Sequence, residues 1–487
     1  MDPIELLFRG SIVVIAVGWA IRLVAIVVVP VNRRPTSATA WLMLVFLFPF
    51  FALVAFLLIG NPKLPKDRRE KQRQVNNRIL EATASMRLVP HDDPGPRWLA
   101  ATVRMNRNLG AMPLVTGNKA RLIADYDAGF DEMAAAIDEA TDFVHSEFYI
   151  FALDDTTRPY FAALERAIAR GVKVRVLFDH IGSRGIPGYK ATKAELDRIG
   201  ADWAPMLPVM PLKGKYQRPD LRNHRKLLVI DGKVGFVGSQ NLIDRTYNKK
   251  KNIKRGLMWH ELMVRLEGPI VGGINALFLT DWFSETDEAI LPELESDVDF
   301  DAQTTLECQI VPSGPGFDGE NNLKLFNTLL YNAEKRVSIT SPYFVPDESL
   351  LHAVISAADR GVPVELFVSE IGDQGFVFHA QRSYYEALLR AGVRIYLYPP
   401  PYILHAKHLS IDDEVCVVGS SNMDMRSFEL NLESTLLVSG SDFAADMALV
   451  EDGYRAISRE LTLEDHMARP FTGRVFDNIA RLTSALQ

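Results

Sequence analysis

His224, Lys226 and Asp231 stand in the stretch NHRKLLVID, and His405, Lys407 and Asp412 recur at the same spacing in LHAKHLSID. Side chains alternate faces along a strand. Each His therefore shares a face with its Lys, while Arg225, Leu227 and Val229 point the other way. The likeness continues through GFVGSQNLIDRTY and CVVGSSNMDMRSF, which align Ser239 with Ser420, Asn241 with Asn422 and Arg245 with Arg426. Each copy thus gathers an imidazole, an ammonium, a hydroxyl and an amide. That is half a phosphate site, with Lys supplying charge and Ser and Asn supplying hydrogen bonds to nonbridging oxygens. Two such halves together would suit a double displacement at phosphorus. One His attacks and forms a phosphohistidine, while the other protonates the leaving alkoxide and then deprotonates the incoming alcohol. The lysines would take the role that Mg²⁺ often has in phosphoryl transfer. Neither a metal nor another cofactor is then expected.

The aspartates read differently. Asp231 and Asp412 belong to the repeated motif but sit at an odd offset from their histidines. IDGK (230–233) carries the Asp-Gly signal of a hairpin turn, so a turn role is expected of both rather than proton transfer. Carboxylate partners for the imidazoles are sought further on. Glu261 follows the first copy in WHELMVRLEG, and Glu433 follows the second in LNLESTLLV. Each lies in an apolar strand, where a buried carboxylate must be paired, and each is expected to orient the His of its own half. Arg245 and Arg426 are read as bracing the fold, His145 and His180 as incidental near strand ends, and Cys416 as packing.

The elements around these residues repeat in the same order. FVHSEFYIF (143–151), FAALERAIARG (161–171), VKVRVLFD (172–179) and ATKAELDRIG (191–200) read as strand, helix, strand, helix. RVSITSPYFV (336–345), LLHAVISAADRG (350–361), VPVELFVS (362–369) and SYYEALLRAG (383–392) do so again. This is an α/β duplication, expected as two sheets with helices outside. Its repeats span 116–297 and 298–487, parted by the acidic PELESDVDFDAQ (292–303).

The N-terminus differs in kind. Residues 11–29 and 40–59 are apolar runs of bilayer-spanning length, flawed only by Arg22 in the first. They predict a membrane hairpin over 1–60. The basic lead-in (61–115) opens with Lys63, Lys66, Arg68, Arg69, Lys71 and Arg73, which outnumber Arg33 and Arg34 in the connector and predict that the rest of the chain is cytoplasmic. The 487 residues, 48% hydrophobic with a net charge of −7, make a general nucleic-acid partner unexpected. Two cysteines allow no disulfide framework. The basic stretches NKKKNIKR (248–255) and KGKYQR (213–218) would attract an anionic leaflet.

The two intact copies of HxK-x4-D-x6-GSxN, at 224–241 and 405–422, resemble the signature of the phospholipase D superfamily. RRPTSATAWL (33–42) and SRELTLEDHMARP (458–470) extend the likeness to its bacterial cardiolipin synthases. The resemblance implies duplicated phospholipase D-like domains, two α/β/α sandwiches packed about a pseudo-two-fold, behind a transmembrane helical hairpin in a bacterial cell membrane. It implies metal-independent transphosphatidylation, with two phosphatidylglycerols giving cardiolipin and glycerol. His224 would be the nucleophile and His405 the acid and base. The motif alone leaves open a hydrolytic phospholipase D or another alcohol acceptor. A membrane-anchored nuclease fits the acidic chain and apolar runs less well. Whether a second copy of the chain is a partner stays open. His408, directly after Lys407, departs from the pattern and bears on substrate preference rather than on the reaction.

Overall fold

The computed structural model describes residues 3–31, 33, 35–61, 63–88, 96–210, 215–290, 306–317 and 319–482. The acidic 292–303 stretch and Lys213–Gly214 of the KGKYQR stretch lie outside them. Two compact units result, one of Met1–Lys63 with Arg218–Asp220 and one of Leu64–Gln217 with Leu221–Gln487.

In the first unit the helix Pro3–Val28 contains a segment, Ser11–Val28, long and apolar enough to cross a membrane. The second apolar run is not the single span expected over 40–59. It forms two shorter helices, Pro35–Leu47 and Pro49–Ile59. Proline has no N–H to continue the ladder and disfavours the helical region for the residue before it. Phe48 accordingly takes φ −136° and ψ 68°. Arg22 makes use of this break, since its guanidinium donates to the Phe46 carbonyl at 3.2 and 2.9 Å.

The second unit is built on a 16-stranded sheet. From one edge the strands run Asp202–Met206, Lys173–Asp179, Phe143–Phe148, Lys226–Ile230, Val234–Gly238, Met263–Glu267 and Val115–Ile123. From the other edge, inside Arg459–Leu461, they run Arg394–Tyr398, Val364–Ser369, Val337–Thr340, His408–Ile411, Val415–Gly419, Asn431–Ser439 and Leu306–Ser313. The order is the same in both halves. The two expected sheets are joined, however, because Val115–Ile123 pairs antiparallel with Leu306–Ser313 across a register shift between Val115 and Asn118. Each half's first strand would otherwise present an unpaired edge.

The helix after each half's sixth strand, Ile270–Thr286 or Ser441–Ile457, enters a shared core, where Ile274 and Phe278 join Phe443 and Met447. The lead-in also packs into the second unit. Leu99 and Val103, on the helix Leu99–Gly110, are buried with Leu325 and Val337, and Asn106 donates to Gln309 at 2.9 Å. Of the basic lead-in, Arg68 forms a bidentate pair with Glu285 at 2.7 and 2.6 Å.

Both motif strands end in a tight turn whose two central residues have positive φ, 50° and 65° at Asp231 and Gly232, 58° and 57° at Asp412 and Asp413. That left-handed backbone reverses the chain within three residues in each hairpin, and Asp tolerates it. The Asp231 carboxylate accepts from the amides of Thr141, Asp142 and Phe143 at 2.8–2.9 Å. Asp412 accepts from Glu334, Lys335 and Arg336 at 2.6–3.1 Å. Each carboxylate thus ties its hairpin to the strand beside it, away from the chemistry its motif suggests.

Candidate active site

The strand order explains why glycine precedes serine in both motifs. A Cβ on Gly238 would stand 2.3 Å from the Leu262 carbonyl, and one on Gly419 2.2 Å from that of Ser434. Only glycine lets the next strand come this close. Glu433 lies on that strand in the second half, and Glu261 lies two residues before it in the first. The amides of Ser239 and Ser420 then bond the same two carbonyls, at 2.9 and 3.0 Å.

Each glutamate serves the other half's histidine. His224 Nδ1 lies 3.1 Å from both carboxylate oxygens of Glu433, and His405 Nδ1 lies 2.8 and 2.9 Å from those of Glu261. The expectation of pairing within a half is therefore corrected. Short parallel pairings between the halves bring the crossing about. Arg222–Asn223 lies beside Asn431–Leu432, and Met258–His260 beside Tyr402–Leu404. The pairings deliver the histidine amides to the partner half, His224 N to Leu432 O at 2.8 Å and His405 N to His260 O at 2.7 Å.

The serines stand under the imidazoles rather than toward open space. Ser420 Oγ donates to Glu433 at 2.5 Å and accepts from Ser434 N at 2.9 Å. Ser239 Oγ accepts from Leu262 N at 2.9 Å and also supports Glu261. The hydroxyls expected on a phosphate instead hold the glutamates. Asn241 is likewise engaged, accepting from Ile150 N at 3.1 Å and donating to the Tyr247 hydroxyl at 2.8 Å. Asn422 differs, because its Oδ1 is buried without a hydrogen-bond partner among the described residues.

Lys226 and Lys407 are buried and donate to the carbonyls of their own histidines, Lys226 at 2.6 Å. Burial first, opposed by Glu433, pulls Lys226 down to about 7. Burial first, opposed by Glu261 and Glu433, pulls Lys407 down to about 8. Burial lowers His224 to about 4 against the pull of Glu433, and burial with Lys407 and Lys226 holds His405 well below the ordinary range. Both imidazoles are neutral at neutral pH. The glutamates part company. Burial pushes both upward, but His224 and Lys226 bring Glu433 below the usual carboxylate range, whereas Glu261 rises to about 7. These six groups feel one another's charge across the two halves and form a single electrostatic cluster.

The sequence reading passed over Tyr149 and Tyr343. The Tyr149 ring meets His224 edge-on with centroids 4.9 Å apart and lies 5.3 Å from Lys226 Nζ. Tyr343 stands 6.3 Å from His405. Their signal lies in the repeat itself, since HSEFY and ITSPY both end on tyrosine, one register position apart. Arg225, which does point away from the site, is buried behind it, where it donates to the Glu433 carbonyl at 3.1 Å and pairs with Asp281.

Three other histidines pack near the site. His145 is stacked between Phe143 and Phe278, and His260 stacks on Tyr398. Burial drives His408 down to about 3, so it is a neutral packing group beside Glu451. Arg245 pairs with Asp127 at 2.5 Å, a bracing contact.

A family model described as "Cardiolipin synthase, PLD-like domain" matches residues 133–278 and 326–449. Cardiolipin synthase A of Proteus mirabilis is 32% identical over 466 residues, covering 93% of this chain and 94% of that protein. That of Wigglesworthia glossinidia brevipalpis is 30% identical over 496 residues, covering 100% and 99%. Among solved structures, phosphatidylserine synthase of Haemophilus influenzae aligns with a TM-score of 0.59 at 15% identity, covering 79% of this chain and 99% of that one, a likeness of fold. With both motifs intact and the similarity running nearly end to end, the chain belongs to the cardiolipin synthase family with a phospholipase D-like domain, and is a phosphatidyltransferase.

Proposed function

We propose that the protein joins two phosphatidylglycerols into cardiolipin and releases glycerol. The crosswise pairing of His224 with Glu433 and of His405 with Glu261 carries this reading. Nδ1–H of His224 donates to a glutamate held ionised, which leaves Nε2 as the lone-pair nitrogen. Attack of Nε2 on the first lipid's phosphorus breaks the bond to the glycerol headgroup, and His405 gives that oxygen its proton. The charge left on the phosphorylated imidazole is opposed by Glu433, which favours His224 as the nucleophile. His405 then takes the proton from a terminal hydroxyl of the second phosphatidylglycerol. The resulting oxygen attacks phosphorus and the P–N bond breaks. Lys226 and Lys407 stabilise the phosphoryl oxygens through both steps. An anionic diester offsets the lysine charges that hold His405 deprotonated, so substrate itself favours the protonated acid.

The equal strand order supports repeats related by a pseudo-two-fold, divided near 297. The apolar N-terminal helices support a membrane hairpin, with the basic residues from Lys63 onward on the cytoplasmic side. Incubating the purified full-length chain with phosphatidylglycerol should yield cardiolipin and glycerol in equal amounts. Phosphatidic acid as the sole lipid product would make it a hydrolase instead.

The lysines also set a pH dependence. Both must be charged to act. On the free enzyme kcat/KM should therefore fall as pH rises through about 7 to 8, where Lys226 and Lys407 lose their protons. On the acid side it should climb as the pH falls and His405 gains the proton it donates, until His224 begins to protonate toward about 4. A profile still flat at pH ~9, well beyond the alkaline limb, would remove the lysines from the mechanism.

A further inference from the structure

A groove of about 1110 Å³ opens beside the first half of the site. It exceeds the ~300–1,000 Å³ of ordinary small-molecule pockets, and is too large for a glycerol-sized ligand. His180, Arg184, Lys190, Lys193, Trp203 and Met210 line it, and among the described residues no carboxylate does. Arg184 and Lys190 are exposed, and Lys193 holds its ammonium 4.8 Å from the Tyr189 ring. Trp203 is half-exposed, fixed by stacking on Phe178 at 5.5 Å and by its indole N–H to Asp197 at 2.8 Å. His180 Nδ1 accepts from the Val209 amide at 3.1 Å, which puts the ring proton on Nε2. The groove thus combines fixed apolar surface with three cations.

One short helix connects it to the residues around His224. The helix His180–Arg184 contributes both its ends to the groove. Its Gly182 packs against Tyr149, so closely that a Cβ would stand 2.5 Å from the ring. That ring is the one set edge-on to His224. Asp179, which caps the helix, accepts from the amide of Asn223, the residue before His224, at 2.9 Å.

We propose that this groove seats the anionic phospholipid that phosphatidylates His224. Trp203 and Met210 meet its apolar part, and Arg184, Lys190 and Lys193 draw its negative charge. The assignment rests on the phosphatidyl-transfer reading above and adds to it the surface on which the donor lipid rests. An anionic amphiphile suits the lining better than a soluble phosphate, for which the apolar wall would be of no use.

The test uses the full-length protein in phosphatidylcholine nanodiscs containing phosphatidylglycerol. The triple variant Arg184→Glu, Lys190→Glu, Lys193→Glu should raise KM for phosphatidylglycerol about tenfold or more, each tenfold being ~1.4 kcal/mol, with kcat within about twofold. Trp203→Ala should raise KM for long-chain phosphatidylglycerol more than for a short-chain analogue. A phosphatidylglycerol carrying a photoreactive acyl chain should label residues between 184 and 210, in the wild type and in the unreactive His224→Ala variant alike. Unchanged KM, labelling confined elsewhere, or protection by soluble glycerol phosphate equal to that by lipid would overturn the proposal. A wild type that labels at the groove but makes no cardiolipin would overturn the synthase reading while leaving the groove's lipid in place.

Discussion

His224→Ala is expected to lose cardiolipin formation by at least about 10⁴-fold, because it removes the atom that forms the covalent intermediate. Loss of a nucleophile leaves only positioning by the lysines and the water-excluding site. His405→Ala should lose less, about 10²–10⁴-fold, the usual worth of a general acid and base. Alanine at 224 also strands Glu433, a buried carboxylate whose pairing it removes. His224→Asn, which still offers Glu433 a donor, separates chemistry from folding and should be as inactive at an unchanged melting temperature. Quenching the wild type with phosphatidylglycerol and mapping peptides should find the phosphatidyl group on His224. Finding it on His405 would reverse the two roles. Full activity in the double alanine variant would show that the chemistry lies elsewhere.

The second large effect follows from the crossed pairs. Glu433→Gln should slow formation of the covalent intermediate by about 10²–10⁴-fold, since it presents an amide where the His224 Nδ1–H needs an anion and so favours the wrong tautomer. The residue changed lies in the second repeat, yet the step lost belongs to the His of the first. Glu261→Gln should act on His405, slowing proton transfer in both half-reactions and weakening the response of the rate to acceptor concentration. Single-turnover labelling separates the outcomes. If Glu433→Gln labels His224 at the wild-type rate while Glu261→Gln does not, pairing within each half would be the working arrangement after all.

Much of the architecture was legible because the repeat supplied two readings of each element. ARGVKVRVLF and DRGVPVELFV mark the same helix end and strand, and their counterparts are neighbours in the sheet of each half. The turn role of Asp231 and Asp412 followed from offset and turn chemistry, which are local. What could not be read was non-local. The spacing from His224 to Glu261 says nothing about which imidazole that glutamate meets. The answer depends on two strand pairings between the halves, each of two or three residues. The serines deceived for a related reason. A hydroxyl beside a histidine suits a phosphate or a glutamate equally, and only the close strand behind Gly238 and Gly419 decides. The break at Phe48 had a visible cause in Pro49, but an unbroken apolar run outweighed it. The pairing of Val115–Ile123 with Leu306–Ser313 joins strands too far apart in the chain for any local signal.

The exchanged strands bear on how the chain comes to be made. During synthesis His224 is made well before residues 431–433, whose backbone and carboxylate seat it. Until then its imidazole has no carboxylate to set the tautomer and no second histidine to supply a proton. A half-made chain therefore carries no competent nucleophile, and a lipid cannot be left bound covalently to an unfinished protein. Reactivity arrives only with the last strands of the second repeat, so completion of the fold and onset of catalysis are one event.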